Sequence, residues 1–135
     1  MVSGYLLDTD RIIDALKGYT EAIDFVNQLA PSGLAISVIS YGEVYQGAYH
    51  GSDPATDLAG LAAFLPGKTL LPVTADVMRT FGIVRGGLTP HLQRVIGDMD
   101  LLIAATALHH GLTVVTRNLR HFRLVPNLDL YDPTP

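Results

Sequence analysis

The stretch Gly4-Tyr5-Leu6-Leu7-Asp8-Thr9-Asp10 constrains the fold of this 135-residue chain more than any other. Tyr5, Leu6 and Leu7 form a short apolar run of the kind that fills a strand buried on both faces. The run ends in an acid, a hydroxyl and a second acid. A carboxylate just past the carboxyl end of such a strand stands where α/β folds place their ligands. Thr9 or Asp10 is expected to cap the helix that follows, over residues 11–17. That leaves Asp8 unexplained, because a lone acid at a strand end is costly to desolvate without a positive partner. Asp8 is therefore the first candidate functional residue.

The rest of the chain alternates between the two periods. Ile12, Ile13 and Leu16 recur at helical spacing before Gly18, and Thr20 caps a second helix over 21–30. Pro31-Ser32-Gly33 reads as a turn, and the apolar, β-branched run 34–39 as a second buried strand. Ser40 opens a helix to about residue 49, with Glu43 in its first turn. After a loop at 50–54, a helix over 57–65 stops at Pro66-Gly67. Residues 69–73 read as a strand that Pro72 confines to a sheet edge. Thr74 caps a helix to about residue 85, broken by Gly86-Gly87-Leu88-Thr89-Pro90, and 91–96 fits neither period clearly. Residues 98–110 form the clearest helix, apolar around most of its circumference and so buried on more than one side. Gly111 closes it. Residues 112–115 are a core strand, 117–123 a basic loop, 125–130 a last short strand and 132–135 a tail. Strands alternating with helices predict an α/β fold, a mainly parallel sheet with helices on both faces, as one domain over residues 1–135.

Composition narrows the function. With 48% hydrophobic and 16% charged residues, the chain can build a core. The absence of cysteine excludes disulfides, zinc–thiolate sites and thiol nucleophiles. A net charge of −4 argues against gripping nucleic acid by bulk electrostatics, though not against a local patch with a metal. There is no basic leader and no apolar run near the ~20 residues of a membrane span, so a soluble, cytoplasmic protein is expected.

The acids gather in the predicted topology. Asp8 ends one strand, Glu43 lies one turn into the helix after the second, Asp98 and Asp100 open the buried helix, and Asn118 follows the last core strand. In a parallel sheet these positions share one edge. Carboxylates converging there repel one another unless a hard cation lies between them, and an all-oxygen donor set favours Mg2+ or Mn2+ over zinc. Each residue also has a purely structural role open to it. Ser40 and Glu43 fit a capping box, Asp98 an N-cap, Asp100 a favourable helix-dipole position, and Asn118 a turn. The histidines lack partners at metal-ligand spacing: His109 and His110 end a helix, and His50 and His91 lie in or beside loops. No G-x-S-x-G elbow, Walker loop or dinucleotide-binding glycine pattern occurs.

Assembled, these segments resemble the PIN-domain ribonucleases, and more closely the VapC-type toxins of bacterial and archaeal toxin–antitoxin pairs. The matching segments are Leu6-Leu7-Asp8-Thr9-Asp10 with Ile12 and Ile13; Ile36-Ser37-Val38-Ile39-Ser40-Tyr41-Gly42-Glu43-Val44 with Gly47; Asp100-Leu101-Leu102-Ile103-Ala104-Ala105-Thr106-Ala107; and Leu112-Thr113-Val114-Val115-Thr116-Arg117-Asn118 with His121-Phe122. They span nearly the whole chain in the right order. The resemblance implies a three-layer α/β/α sandwich and hydrolysis of RNA phosphodiester bonds with Mg2+ or Mn2+. Asp8, Glu43 and Asp100 would be the metal ligands. Asn118 falls where many relatives carry a fourth acid, which weakens a second metal site. Asp98 would be at most a helper outside that triad; Thr9 and Thr116 are candidate hydroxyls to orient carboxylates, or else caps and strand packing, and Arg117, Arg120 and Arg123 candidate contacts to RNA phosphates, or else a solvated loop. It also implies a homodimer and a VapB-type antitoxin whose tail lies over the acidic pocket, with an arginine standing in for the cation. Helices 21–30 and 41–49 offer that partner an apolar groove, or are simply core.

Two other readings fit the same residues. A haloacid-dehalogenase-like phosphatase would use Asp8 as nucleophile and Asp10 as acid, with Ile96-Gly97-Asp98-Met99-Asp100 as its later acidic motif and Lys17 or Lys68 as its lysine. The chain is short for that class and leaves no room for a cap. A binding module with the same fold would hold RNA or antitoxin without cutting, a reading that Asn118 favours.

Overall fold

The computed structural model describes residues 4–132. Four parallel strands form one sheet in the order β3-β2-β1-β4: β1 (Tyr5–Leu7), β2 (Leu34–Ser37), β3 (Thr69–Leu71) and β4 (Thr113–Val115). Tyr5 pairs with both Leu34 and Thr113, which makes β1 a central strand. β3 lies at an edge, and Pro72 falls just beyond its last residue. The helices are α1 (Thr9–Leu16), α2 (Thr20–Leu29), α3 (Val38–His50), α4 (Pro54–Phe64), α5 (Ala75–Gly87), α6 (Pro90–Val95), α7 (Asp98–His110) and α8 (Leu119–Phe122).

Alternation along the strands divides the interior into two cores. Leu6, Ala35 and Val114 face one side, where they pack with Leu101, Ile103 and Ala104 of α7 and Phe122 of α8. Leu7, Leu34, Ile36 and Val115 face the other, against Ile12 of α1, Leu29 of α2, Val44 of α3 and Leu61 of α4. This is the three-layer α/β/α sandwich. None of the described helices is long and apolar enough to cross a membrane.

Several boundaries differ from those read in the sequence. The second strand stops at Ser37, whose hydroxyl accepts the Ile39 N–H at 3.1 Å and caps α3. The β-branched Val38 and Ile39 therefore enter the helix, two residues before Ser40, and the Ser40–Glu43 capping box does not form. Asp8 itself caps α1, accepting the Thr9 N–H at 2.8 Å. Gly97, not Asp98, is the N-cap of α7. Residues 91–96 lie largely in α6, capped by the Thr89 hydroxyl on Leu92 N–H at 3.2 Å. The basic loop contains the short helix α8. The strand expected at 125–130 shrinks to one parallel bridge from Leu130 to Val114.

Gly4 sets the spacing at the start of the sheet. Its φ of 106° is disfavoured for residues with a side chain, and an added Cβ would drive into the carbonyl oxygens of Ser32 and Gly33. The Gly33 carbonyl also accepts the Tyr5 N–H at 3.0 Å, so the backbone has no freedom to retreat. Gly4→Ala is expected to lower the unfolding free energy by about 2–4 kcal/mol in urea titration. A loss below about 0.5 kcal/mol would show that this approach is not needed.

Candidate active site

A parallel sheet brings the carboxyl ends of β1, β2 and β4 to one edge. Asp8 leaves β1 there, Thr116 leaves β4, and α3 rises from the end of β2. Asp8 is buried, with 5% of its surface exposed. Its Oδ1 caps α1, and its Oδ2 accepts the Thr116 hydroxyl at 2.7 Å. Its own N–H donates to the Val115 carbonyl at 2.9 Å, locking the strand end. On α3, Glu43 Oε1 accepts the Thr9 hydroxyl at 2.6 Å. Thr9 and Thr116 thus each fix the orientation of one carboxylate.

Asp10 stands beside Asp8. Its Oδ2 accepts the Arg117 main-chain N–H at 3.0 Å, while its Oδ1 is buried without a partner among the described residues. Asp100, half-buried in the first turn of α7, feels the charges of Glu43, Asp10 and His121. Asn118 precedes α8, donates its N–H to Thr116 Oγ1 at 2.9 Å, and sets its side-chain amide 3.1 Å from His121 Nδ1.

The electrostatics follow from this crowding. Burial pushes the Asp8 carboxyl from its ordinary 3.8 up to about 7. The Asp10 charge adds to the rise, the Thr116 and Thr9 hydrogen bonds oppose it, and Asp100 adds a smaller push. Burial also raises Asp10, against the Arg117 amide and the Arg117 and Arg11 charges. Asp100 is raised by burial first and by Glu43 next, and His121 lowers it. Asp8, Asp10, Glu43 and Asp100 therefore form one linked set of acids.

Among the described residues, no three of these side chains approach closely enough to enclose an ion between them. Their chemistry nonetheless fits a hard divalent cation. The donors are all oxygens, Asp10 Oδ1 is buried with an unused lone pair, and burial beside Asp10 and Asp100 disfavours the Asp8 charge, which a cation would offset.

The other sequence candidates fall outside this set. Asp98 neither caps α7 nor turns to the acids; it is exposed and accepts Arg85 Nε–H at 3.0 Å. Arg117 Nε is bonded to Asp14 Oδ2 at 2.8 Å, and Arg123 to Asp132 at 2.6 Å. Arg120 is exposed and enters no ion pair among the described residues. Lys68, one of the two lysines open to the phosphatase reading, lies before β3 at the opposite end of the sheet, with Nζ 2.7 Å from the Phe64 carbonyl. Sequence reasoning placed Asp10 only as a cap or a phosphatase acid and passed over His121 as a site residue. Their signals were the two-residue spacing of Asp8 and Asp10 and the helical i, i+3 spacing of Asn118 and His121.

The raised Asp8 predicts a specific pH dependence. Its folded pKa exceeds its unfolded value, so its contribution favours folding below about pH 4 and is lost as pH climbs through about 7. In EDTA, Asp8→Asn is expected to be more stable than the wild type at pH 8 by about 2–4 kcal/mol, and equal to it near pH 4. Asparagine keeps the cap, so that difference isolates the charge. Equal effects at both pH values in urea titration would contradict the assignment.

A model of the PIN domain family matches residues 5–128. The chain is 33% identical over 122 residues to Ribonuclease VapC2 of Haemophilus influenzae, covering 90% of this chain and 91% of that protein. It is 31% identical over 132 residues to the tRNA(fMet)-specific endonuclease VapC of Salmonella typhimurium, covering 95% and 96% of the two. A crystal structure of VapBC2 from Rickettsia felis bound to a DNA fragment from their promoter superposes with a TM-score of 0.84 at 28% identity, over 97% of this chain and 98% of that one. The match runs through all four strands and the helix that carries Asp100, and the chain belongs to the PIN domain family, among its VapC ribonucleases.

Proposed function

We propose that this protein is a divalent-metal-dependent endoribonuclease, the toxin of a toxin–antitoxin pair. The observation that carries the reading is the linked set Asp8, Glu43 and Asp100, with Asp10 beside it, at the ligand-binding edge of a VapC-family sheet. Asp8, Glu43 and Asp100 would hold Mg2+ or Mn2+, with Asp10 Oδ1 and, through water, Asn118 as further oxygen donors. When bound, the cation activates an attacking water and neutralises charge developing on the scissile phosphate. The protein's own work is placement. Thr116 and Thr9 hold Asp8 and Glu43 in one orientation, and the strand end bonded through Asp8 N–H keeps the edge rigid. With Arg117 and Arg123 already paired, Arg120 on α8 is, of these three candidates, the one left to meet an RNA phosphate.

The partner reading extends the same chemistry. A VapB-type antitoxin would set a guanidinium against the acids, replacing the cation's charge and pairing with carboxylates bidentately. A cavity of about 460 Å³ between α1, α3 and α4, lined by Ile13, Leu16, Val44 and Ala48, supports docking of an apolar segment from that partner. A homodimer in the cytoplasm completes the reading.

Purified protein free of antitoxin is expected to cut RNA with Mn2+ or Mg2+ and to stop in EDTA. A panel of transfer, ribosomal and messenger RNAs would reveal the target, beginning with initiator tRNA. Asp8→Asn and Asp100→Asn should each slow cleavage by roughly 100-fold or more, the several kcal/mol that metal-ion charge stabilisation supplies. Asp98→Asn should leave the rate unchanged. Cleavage that survives both active-site substitutions would refute the site. Metal and RNA binding without any cutting would favour the binding module instead.

A further inference from the structure

Asp10 and Asp14 lie one turn apart on α1, on the same face of the helix. Both carboxylates grip a single residue from the far end of the chain. Asp10 Oδ2 accepts the Arg117 main-chain N–H at 3.0 Å, and Asp14 Oδ2 forms an ion pair with Arg117 Nε at 2.8 Å. The two partners differ in burial: the Asp14 side chain is 9% exposed and that of Arg117 57%. A carboxylate so buried needs a cation beside it. The half-solvated arginine gains little stability from the pair, so the value of the contact lies in where it holds Arg117.

Arg117 sits between two residues that arrange the acids. Thr116 on one side donates its hydroxyl to Asp8 Oδ2 at 2.7 Å. Asn118 on the other donates its N–H to the same hydroxyl oxygen at 2.9 Å, which aims the Thr116 proton at Asp8. If Arg117 moves, the Thr116 hydroxyl and the amide that meets Asp10 move with it.

We infer that Asp14 is a positioning residue of the active site, a tether that holds Arg117 and thereby fixes the β4–α8 turn against Asp8 and Asp10. Arg117 then serves as an anchor within the protein and not as a contact to RNA phosphate. The inference rests on the reading of the acidic edge as a cation site, and its test separates the two.

Asp14→Asn is the informative variant, because it is nearly isosteric and leaves no buried charge behind. In metal-free protein, the Arg117 and Asn118 amides are expected to exchange with solvent roughly tenfold faster, while the Leu112 amide, bonded to the Ala107 carbonyl at 2.9 Å, keeps its protection. Mn2+ binding, followed by electron paramagnetic resonance, should weaken roughly tenfold, and cleavage should lose kcat with KM for RNA unchanged. Wild-type exchange and wild-type Mn2+ affinity in Asp14→Asn would overturn the tether. So would an Arg117→Gln variant that raises KM and flattens its salt dependence while Asp14→Asn behaves as wild type, since Arg117 would then be touching phosphate. If the wild-type chain itself binds no Mn2+, the cation reading fails, and the exchange rates alone decide the tether.

Discussion

The acidic edge of this protein is governed by the cost of keeping carboxylates close together and partly out of water. Asp8 shows that cost most plainly: it is buried at the end of a central strand, next to Asp10 and within range of Asp100, and it holds its proton to about pH 7. A fold under selection for stability alone would place an apolar or neutral group there. Retaining the acids makes sense if a positive charge joins them, whether a divalent cation during catalysis or an arginine from an inhibitory partner.

The surrounding structure directs those acids without neutralising them. Thr116 and Thr9 supply neutral hydroxyl donors, which orient a carboxylate while leaving its charge for a cation. The neighbouring cations are turned to other tasks. Arg117 is bound to Asp14 behind the site, Arg85 to Asp98 at the exposed start of α7, and Arg123 to Asp132. Arg117 and Arg11 still lower Asp10, and His121 lowers Asp100, from the periphery. The result is an edge that stays electronegative in a chain whose net charge is only −4.

The layout of the fold was legible because its signals are local. Tyr5-Leu6-Leu7 suits a buried strand, and the acid at its end falls at the sheet edge where α/β folds place their ligands, although it also caps α1. The all-round apolar helix carrying Asp100 could only lie against the sheet. The errors arose where a distant contact outweighed a local preference. Val38 and Ile39 read as strand, yet Ser37 at the strand end caps a helix that absorbs them. Asp98 is a better N-cap by type than Gly97, but Arg85, thirteen residues earlier, draws its side chain outward. Arg117 reads as a free basic residue in a loop, because its partner Asp14 is over a hundred positions away and no spacing rule connects them. Asp10 was hidden by its resemblance to an ordinary cap, a role that Asp8 takes instead.

The most direct test is to locate the cation itself. Crystals of the antitoxin-free protein grown near pH 8 with Mn2+ should show anomalous scattering between Asp8, Glu43 and Asp100, and Asp8→Asn crystals should lose that peak. Manganese absent from this edge, or bound elsewhere with the acids still apart, would contradict the assignment of these carboxylates as one metal site.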